Sequence, residues 1–425
     1  MTFVLFVSLL ICFTLGVPIA FSLGVASVAT LYFASDLPMT LVAQRLFTGT
    51  DSFPLMAIPF FMLAGELMEA GGISRRLFNF AHALVGFITG GLAMVSVVAA
   101  MFFAGISGAA AADTAAVGAV SIPAMIRKKY DKGFAAAVQA AGGSIGVIIP
   151  PSIPMIIFGV VGGVSIGKMF LGGFIPGALI GSGLMAVSYF LAKRAGYERD
   201  PFLGVKAIGR TFLGAFWALL MPLIILGGIL GGIFTPTEAA VVAVIYGAIV
   251  GFGVYRELKI RDLPRLLAKA TISTSTVMLL IASASIFGWI LTAEQVPQNV
   301  AAYLVSLTSS PAVLYGLILM CLLVVGTFME TSASLIILTP VFLPVIKQFG
   351  IDPVHFGVVM VTALAIGMLT PPLGICLFIS CNIAQIQLSE IIKYITPFLL
   401  VMIAILLLMT YIPDIVMIIP NTFGD

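Results

Sequence analysis

The stretch Gly105–Pro123, GISGAAAADTAAVGAVSIP, is made almost wholly of small residues, yet it carries Ser107, Asp113 and Thr114. It lies inside a chain that is otherwise apolar. A helix broken here leaves bare carbonyls and amides at membrane depth, which is tolerated only where the break is buried in protein or lines a polar cavity. A second stretch, Gly326–Pro344, reads GTFMETSASLIILTPVFLP. Gly105 to Gly326 and Pro123 to Pro344 are both steps of 221 residues.

The surrounding composition sets the class. Of 425 residues, 61% are hydrophobic and 9% charged, against about 25% charged in soluble chains. With a mean hydropathy of +1.21, the apolar runs read as helices crossing a bilayer. The 44 Gly and 23 Pro fit close helix contacts and interrupted helices. Cys12, Cys321, Cys376 and Cys381 lie in apolar segments without ligand spacing, and read as buried small residues. The apolar run at the N-terminus lacks a basic leader and is too long for a signal sequence, so it reads as a retained first span.

Length and punctuation place full crossings near 3–33, 53–70, 133–162, 169–192, 211–233, 236–254, 271–292, 354–384 and 393–412. The segments 92–127 and 312–347 are each broken in the middle, and each half is too short to cross comfortably. They read as re-entrant hairpins. The stretches 75–90 and 298–310, just before them, are expected along the membrane surface. With the N-terminus in the cytoplasm, all 20 Lys and Arg except Arg45, Lys168 and Lys347 fall on the inner side, as the positive-inside rule requires.

The 221-residue register continues without a gap. It pairs Asp131 with Asp352, Ile145 and Gly146 with Ile366 and Gly367, Pro150 and Pro151 with Pro371 and Pro372, Pro176 with Pro397, and Leu179 with Leu400. The first hairpin leaves into RKKYDK at 127–132, the second into KQFGIDP at 347–353. One exit is basic and the other nearly bare of cations, so the two units sit in opposite orientations. Inverted repeats with broken helices and a midplane site are a design of secondary transporters. The fold class is therefore an all-α polytopic membrane protein of two inverted repeats with re-entrant hairpins and broken helices. Its parts are a first span and outer loop (1–52), a first repeat (53–192), connecting scaffold helices (193–270), a second repeat (271–412) and a tail (413–425).

Each repeat carries two breaks: Gly105–Thr114 with Ala141–Pro154, and Gly326–Ser334 with Ala365–Ile375. Proline pairs end a helix and free carbonyls before it, and glycines permit the sharp geometry. Freed carbonyls with Ser107, Thr114, Ser144, Thr327, Thr331, Ser332 and Thr370 can supply the oxygens a hard cation such as Na+ needs. The half-helix N-termini behind the breaks suit an anionic group. Ser and Thr in membrane helices also bond their own carbonyl four residues back, so each hydroxyl has a plain structural reading too. Glu66, Asp113, Glu238 and Glu330 lie in or beside apolar runs, where acids are costly. Asp113 and Glu330, at the two tips, can face a cation, order the tip, relay protons or cap a half-helix. Glu238, behind Pro236, reads as a cap. Arg45 and Asp51, on the outer side, can pair with a partner or guide an anion; His82 and His355 read as structural. No phosphate loop, HExxH motif or nucleophile–base pair is present in the sequence, so neither ATP hydrolysis by that route nor enzyme chemistry is expected.

The segments DSFPLMAIPFFMLAGELM (51–68), FAGISGAAAADTAAVGAVSIPAM (103–125), GGSIGVIIPPSIPMIIFGVVGGVSIGKMFLGGFIPG (142–177), GIFTPTEAAVVAVIYG (232–247) and GMLTPPLGICLFI (367–379) resemble the large membrane subunit of TRAP transporters, the tripartite ATP-independent periplasmic carriers. The resemblance covers nearly the whole chain. It implies an elevator-type, Na+-driven importer of organic acid anions such as C4-dicarboxylates or sialic acids, without a cofactor. It also implies a small membrane subunit as a separate chain and a periplasmic binding protein. The expected location is the bacterial inner membrane, with the N-terminus cytoplasmic and the C-terminus periplasmic. A stand-alone Na+- or H+-coupled anion transporter of related build is the alternative, and an intramembrane enzyme or scaffold a more distant one.

Carried onto this chain, the family's tips fall on Gly105–Thr114 and Gly326–Ser334, its loops on Gly142–Pro151 and Gly367–Pro372. The candidate sodium positions are Gly105, Ser107, Gly108, Asp113, Thr114, Ser144, Gly146 and Pro150 in the first repeat. Those in the second are Gly326, Thr327, Glu330, Thr331, Ser332, Gly367, Thr370 and Pro371. The candidate substrate positions are Ser107, Ser152, Thr331, Ser332 and Gly374.

Overall fold

A computed structural model describes residues 1–308, 310–371 and 374–423, and the described residues form helices without a strand. The first repeat and what precedes it contain α1 (Thr2–Thr14), α2 (Ile19–Ala34), α3 (Thr40–Thr48), α4 (Ala57–Ala70), α5 (Ile73–Val85), α6 (Gly91–Ser107), α7 (Ala110–Arg127), α8 (Lys132–Ser144), α9 (Ile153–Gly162) and α10 (Ile166–Ala195). Then follow α11 (Val205–Leu230), α12 (Pro236–Ala248), α13 (Leu263–Ala293), α14 (Val296–Leu307), α15 (Pro311–Phe328), α16 (Thr331–Gln348), α17 (Pro353–Gly367), α18 (Ile375–Ala384), α19 (Leu388–Tyr411) and α20 (Asp414–Phe423). Thus the expected spans 133–162 and 354–384 are each two half-helices, α8–α9 and α17–α18. Within the tail, Asp414–Phe423 is itself helical.

The expected single crossing at 3–33 is not one. Gly16, at φ +72°, and Pro18 interrupt it, and α1 and α2 pack against each other. Met1 bonds Glu294 at the end of α13 (3.3 Å), and Arg45 lies over Trp289 of the same end, 5.1 Å from the ring centroid. Met1, before α1, and Arg45, on α3 just after α2, therefore meet the same end of α13. An arm of 13 residues rises only ~20 Å, short of the ~30 Å hydrocarbon core, so the segment is a helical hairpin.

The hairpins at 92–127 and 312–347 are present, for a reason other than short arms. α15 and α16 have 18 residues each, ~27 Å at the helical rise. They are hairpins because their tips stop beside the breaks in α8–α9 and α17–α18. The orientation is inverted as well. Gly133, just after α7, packs on the backbone of Glu390 near the start of α19. Tyr411, at the other end of α19, donates to the carbonyl of Ala312 near the start of α15 (3.2 Å). The first hairpin opens at one end of α19, the second at the other.

Helix starts follow the repeat. Asp131 caps α8, accepting from the amides of Gly133 and Phe134 (2.8 and 3.2 Å). Asp352 caps α17, accepting from Val354 and His355 (2.7 and 3.0 Å). Thr235 and Glu238 form the capping box of α12, the role expected for Glu238. The two repeats interlock: α9 packs on α16, and α18 packs on α7 and α8. Lipid is as apolar as a core, so close contact rather than burial from water holds such a bundle. The wholly exposed faces around Phe3, Leu223 and Ile272 are what lipid accommodates.

Candidate ion and substrate site at the hairpin tips

α6 ends at Ser107 because Gly108 turns left-handed, at φ +65°, and α7 starts two residues on. The turn is fastened to the first loop: the amide of Ile153 donates to the carbonyl of Gly108 (3.2 Å). The Ser107 hydroxyl donates to Asp113 Oδ1. Asp113 is fully buried, and its other oxygen, Oδ2, has no partner among the described residues. That oxygen faces Gly146, where any Cβ would collide with it. The tip Gly105–Thr114 and the loop Gly142–Pro151 are thus brought together, with Gly105 within reach of the Pro150 carbonyl and of Pro222 on α11. Asp113 caps nothing, since it stands at the fourth position of α7 and makes no bond to an amide at the helix start.

The second tip is built differently. Glu330 precedes α16 and caps it, accepting from the amides of Ser332 and Ala333 (2.8 and 3.2 Å) and from the Ser332 hydroxyl (2.9 Å). Of the roles open to this acid, capping is the one the geometry fills. Beside it, Thr331 is buried and its hydroxyl has no partner among the described residues. Gly326 lies on Gly367 and Leu364: a Cβ on Gly326 would stand 3.1 Å from the Gly367 Cα. This tip and its loop are also brought together. Pro371 lies in the turn after α17, Pro372 falls outside the described residues, and Gly374, at φ +35°, opens α18.

Several hydroxyls take the plain role. Thr114 bonds Ala110 (2.7 Å), Ser144 bonds Ala141 (2.8 Å) and Thr327 bonds Val324 (2.7 Å), each on its own helix, and Thr370, in the turn after α17, bonds Ile366 near the end of α17 (3.1 Å). Ser152 caps α9 and donates to the Val147 carbonyl (2.6 Å). His355 is buried and bonds the Met409 carbonyl (2.8 Å), while His82 pairs with Asp200 (3.0 Å). The four cysteines are free.

A cavity of 310 Å³ adjoins the first tip. One wall is the small-residue face of the hairpin, with Ser107, Ala109 and Ala112; the other is α4 and α13, with Glu66, Glu69 and Lys269. Lys269 pairs with Glu66 at 2.8 Å and with Glu69 at 3.5 Å. Ser107 touches both this cavity and Asp113. The sequence reading missed Lys269, whose partners are distant in the chain, and Gln139, the one polar residue between Lys132 and Ser144 in α8.

Paired hairpins in opposite orientation, with buried oxygens at their tips, define a polytopic membrane protein of the inverted-repeat transporter class. The YdaH transporter of Alcanivorax borkumensis shares this fold, with a TM-score of 0.60 at 16% identity over 88% of this chain and 87% of that one. The chain belongs to the family described as tripartite ATP-independent periplasmic transporter, DctM component, whose profile matches residues 6–415. It is 41% identical to the 2,3-diketo-L-gulonate TRAP transporter large permease protein YiaN of Escherichia coli over 95% of each chain. It is 40% identical to the sialic acid TRAP transporter large permease protein SiaM of Vibrio cholerae over 96% of each. It is also 46% identical to the isethionate TRAP transporter permease protein DctMQ of Oleidesulfovibrio alaskensis. That match covers 95% of this chain and only 64% of the longer relative.

Proposed function

We propose that this chain is the membrane carrier of a tripartite importer and couples the inward flow of Na+ to the uptake of an organic anion. The observation that carries the proposal is a pair of oxygens. Among the described residues, Asp113 Oδ2 and the Thr331 hydroxyl are buried without a protein partner, one in each hairpin, just behind the tip. An unpaired buried oxygen costs ~1–3 kcal/mol, and a cation bound between tip and loop removes that cost. Carboxylate, hydroxyl and carbonyl oxygens are the ligands a hard cation takes. In the first repeat Asp113 and the carbonyls of the break would hold it; in the second Thr331 and the carbonyls around Gly367 would.

The substrate class follows from what the named relatives have in common: isethionate, diketogulonate and sialic acid are all acids. The anion is placed in the cavity against Ser107, so one hydroxyl touches the carboxylate of the ion site and the substrate space together. A small membrane subunit is the expected partner in the membrane, and a periplasmic binding protein delivers the anion. The membrane is the bacterial cytoplasmic membrane with the basic clusters inside. In that orientation the fold-back of α1 and α2 moves Met1 to the outer side with Arg45, in place of the cytoplasmic N-terminus expected from a single crossing. Transport would proceed by movement of the two hairpins and their half-helices against α11–α13.

Reconstitution tests the reading. Proteoliposomes holding this chain and its small partner, supplied with the binding protein loaded with a radiolabelled carboxylate or sulfonate, should accumulate the anion only under an inward Na+ gradient. Uptake without Na+, driven by a proton gradient, would replace it with the proton-coupled alternative. Uptake that ignores the binding protein would replace it with the stand-alone one.

A further inference from the structure

Gln139 uses its whole hydrogen-bonding capacity on the first hairpin. Its Oε1 accepts from the hydroxyls of Ser96 on α6 (2.6 Å) and Ser121 on α7 (2.9 Å). Its Nε2 donates to the backbone carbonyls of Asp113 (3.3 Å) and Thr114 (3.4 Å). An amide has two acceptor sites and two donors, and here all four are engaged in a fully buried position. The side chain lies over Gly118, where a Cβ would stand 3.1 Å from Gln139 Cγ.

Spacing along α8 explains why this matters for the ion site. Gln139, Gly143 and Gly146 are separated by four and three residues, so they share one helix face. Gly143 admits Thr114, whose Cα would stand 2.7 Å from a Cβ there, and Gly146 admits the Asp113 carboxylate. Gln139 therefore grips, from one turn away, the first turn of α7 that the two glycines let in.

The second repeat has no such grip. The register of 221 residues maps Gln139 to Met360 and Gly118 to Thr339. That contact is kept, but as Thr339 Oγ1 to Met360 Sδ at 3.9 Å, a weak bond to a thioether. Gly143 maps to Leu364, and the close approach moves to Gly326 on the first arm of the hairpin. The same place in the two halves is thus a four-bond amide in one and a single weak hydroxyl–thioether bond in the other.

We infer that Gln139 is a positioning residue for Na+ in the first repeat: it fixes Asp113 and Thr114 against α8 and sets the ion affinity of that site alone. The inference rests on the reading of this tip as a cation site. Hairpin 1 is thereby held to its half-helix.

The test is Na+-dependent uptake in the same proteoliposomes, with Gln139→Met, the residue at the mirrored position. The half-saturating Na+ concentration should rise at least fivefold while the substrate KM stays within twofold. The double variant Ser96→Ala with Ser121→Ala, which leaves the two donated bonds intact, should lower the melting temperature and leave the Na+ dependence within twofold. Gln139→Asn, one methylene shorter, serves where the Met variant does not fold, and should give a smaller shift in the same direction. An unchanged Na+ dependence in a folded Gln139 variant, or an equal shift in the serine double variant, overturns the inference. Wild-type uptake that needs no Na+ would instead reject the coupling reading itself, so the two failures are distinct.

Discussion

Ser107 donates a hydrogen bond to Asp113 across the left-handed turn at Gly108, joining the two arms of the first hairpin at their tip. The second hairpin does not mirror it. Its acid, Glu330, stands outside the helix and is consumed by two amides and a hydroxyl. One tip keeps a carboxylate oxygen without a partner among the described residues, while the other uses its acid to start a helix. Two similar-looking acids therefore require opposite outcomes when neutralised.

Asp113→Asn replaces one carboxylate oxygen with a donor that a cation repels. Na+-driven uptake should fall at least tenfold, since each ~1.4 kcal/mol of lost binding is a factor of ten. Glu330→Gln removes a charged cap, worth ~1 kcal/mol. It should lower the melting temperature and leave uptake within about threefold. Comparing proteoliposome uptake with thermal melting of both variants checks the assignment, and the reverse pattern would overturn it.

Small-residue content, the offset of 221 and the sidedness of Lys and Arg made the repeats, the hairpins and the tip–loop pairing legible in the sequence. Asp131 and Asp352 behaved as mirrored caps. Other features were hidden because they depend on contacts between distant positions. An apolar run that folds back at Gly16 and Pro18 looks the same as one that crosses. Whether an acid caps or stays open turns on a shift of a few residues relative to the helix start, which composition does not encode. Thr114, Ser144 and Thr327 bond carbonyls of their own helices, because a helix always offers a hydroxyl those acceptors.

Gly367 faces the backbone of Gly326 so closely that a side chain there would overlap it. Backbone cannot rotate away as a side chain can, so Gly367→Ala forces α15 off α17. Overpacking of this kind costs ~1–3 kcal/mol. The variant should melt earlier than the wild type and lose Na+-driven uptake. Gly163→Ala, a substitution with open space around it but at φ +64°, should melt earlier yet keep transport, separating local strain from damage to the site.

Lys269 holds Glu66 between α13 and α4 (2.8 Å). Removing the ammonium leaves Glu66, 14% exposed, facing a cavity without its counter-charge. Lys269→Met should cost about 1–2 kcal/mol, between the values for exposed and buried pairs. Adding Glu66→Gln should restore most of the loss. Melting of the single and double variants measures the coupling, and additive losses would show that the pair contributes little.

Outside the membrane, Asp200 joins Lys128 (2.7 Å) at the exit of the first hairpin to His82 (3.0 Å) on α5. Burial pushes the Asp200 carboxyl up, but the hydrogen bonds and charges of Lys128 and His82 more than reverse this, so it titrates below the usual carboxylate range. A depressed acid contributes stability above its unfolded value of about 3.9, and the contribution is lost as pH falls through the lower folded value. Asp200→Asn should therefore melt slightly earlier than the wild type at pH 7. The difference should vanish once the medium is more acidic than that folded value. A difference that grows in acid would contradict the assignment.

The proposed motion can be tested where the first hairpin meets the helices it would slide past. A Cβ on Gly105 would stand 3.4 Å from Cβ of Pro222 on α11, near the ~3.5–4.5 Å spacing that a disulfide spans. The double variant Gly105→Cys with Pro222→Cys, in a background whose four native cysteines are replaced by serine or alanine, should crosslink on oxidation. If transport requires the hairpin to move against α11, the oxidised protein should lose nearly all uptake and the reductant should return it to the level of the unoxidised double variant. Binding of Na+, read as Na+-dependent thermal stabilisation, should survive oxidation, because the crosslink fixes the position of the site without removing its oxygens. Full uptake in a completely crosslinked sample would show that substrate crosses without this hairpin moving along α11, and the moving part would then have to be sought in the second hairpin alone.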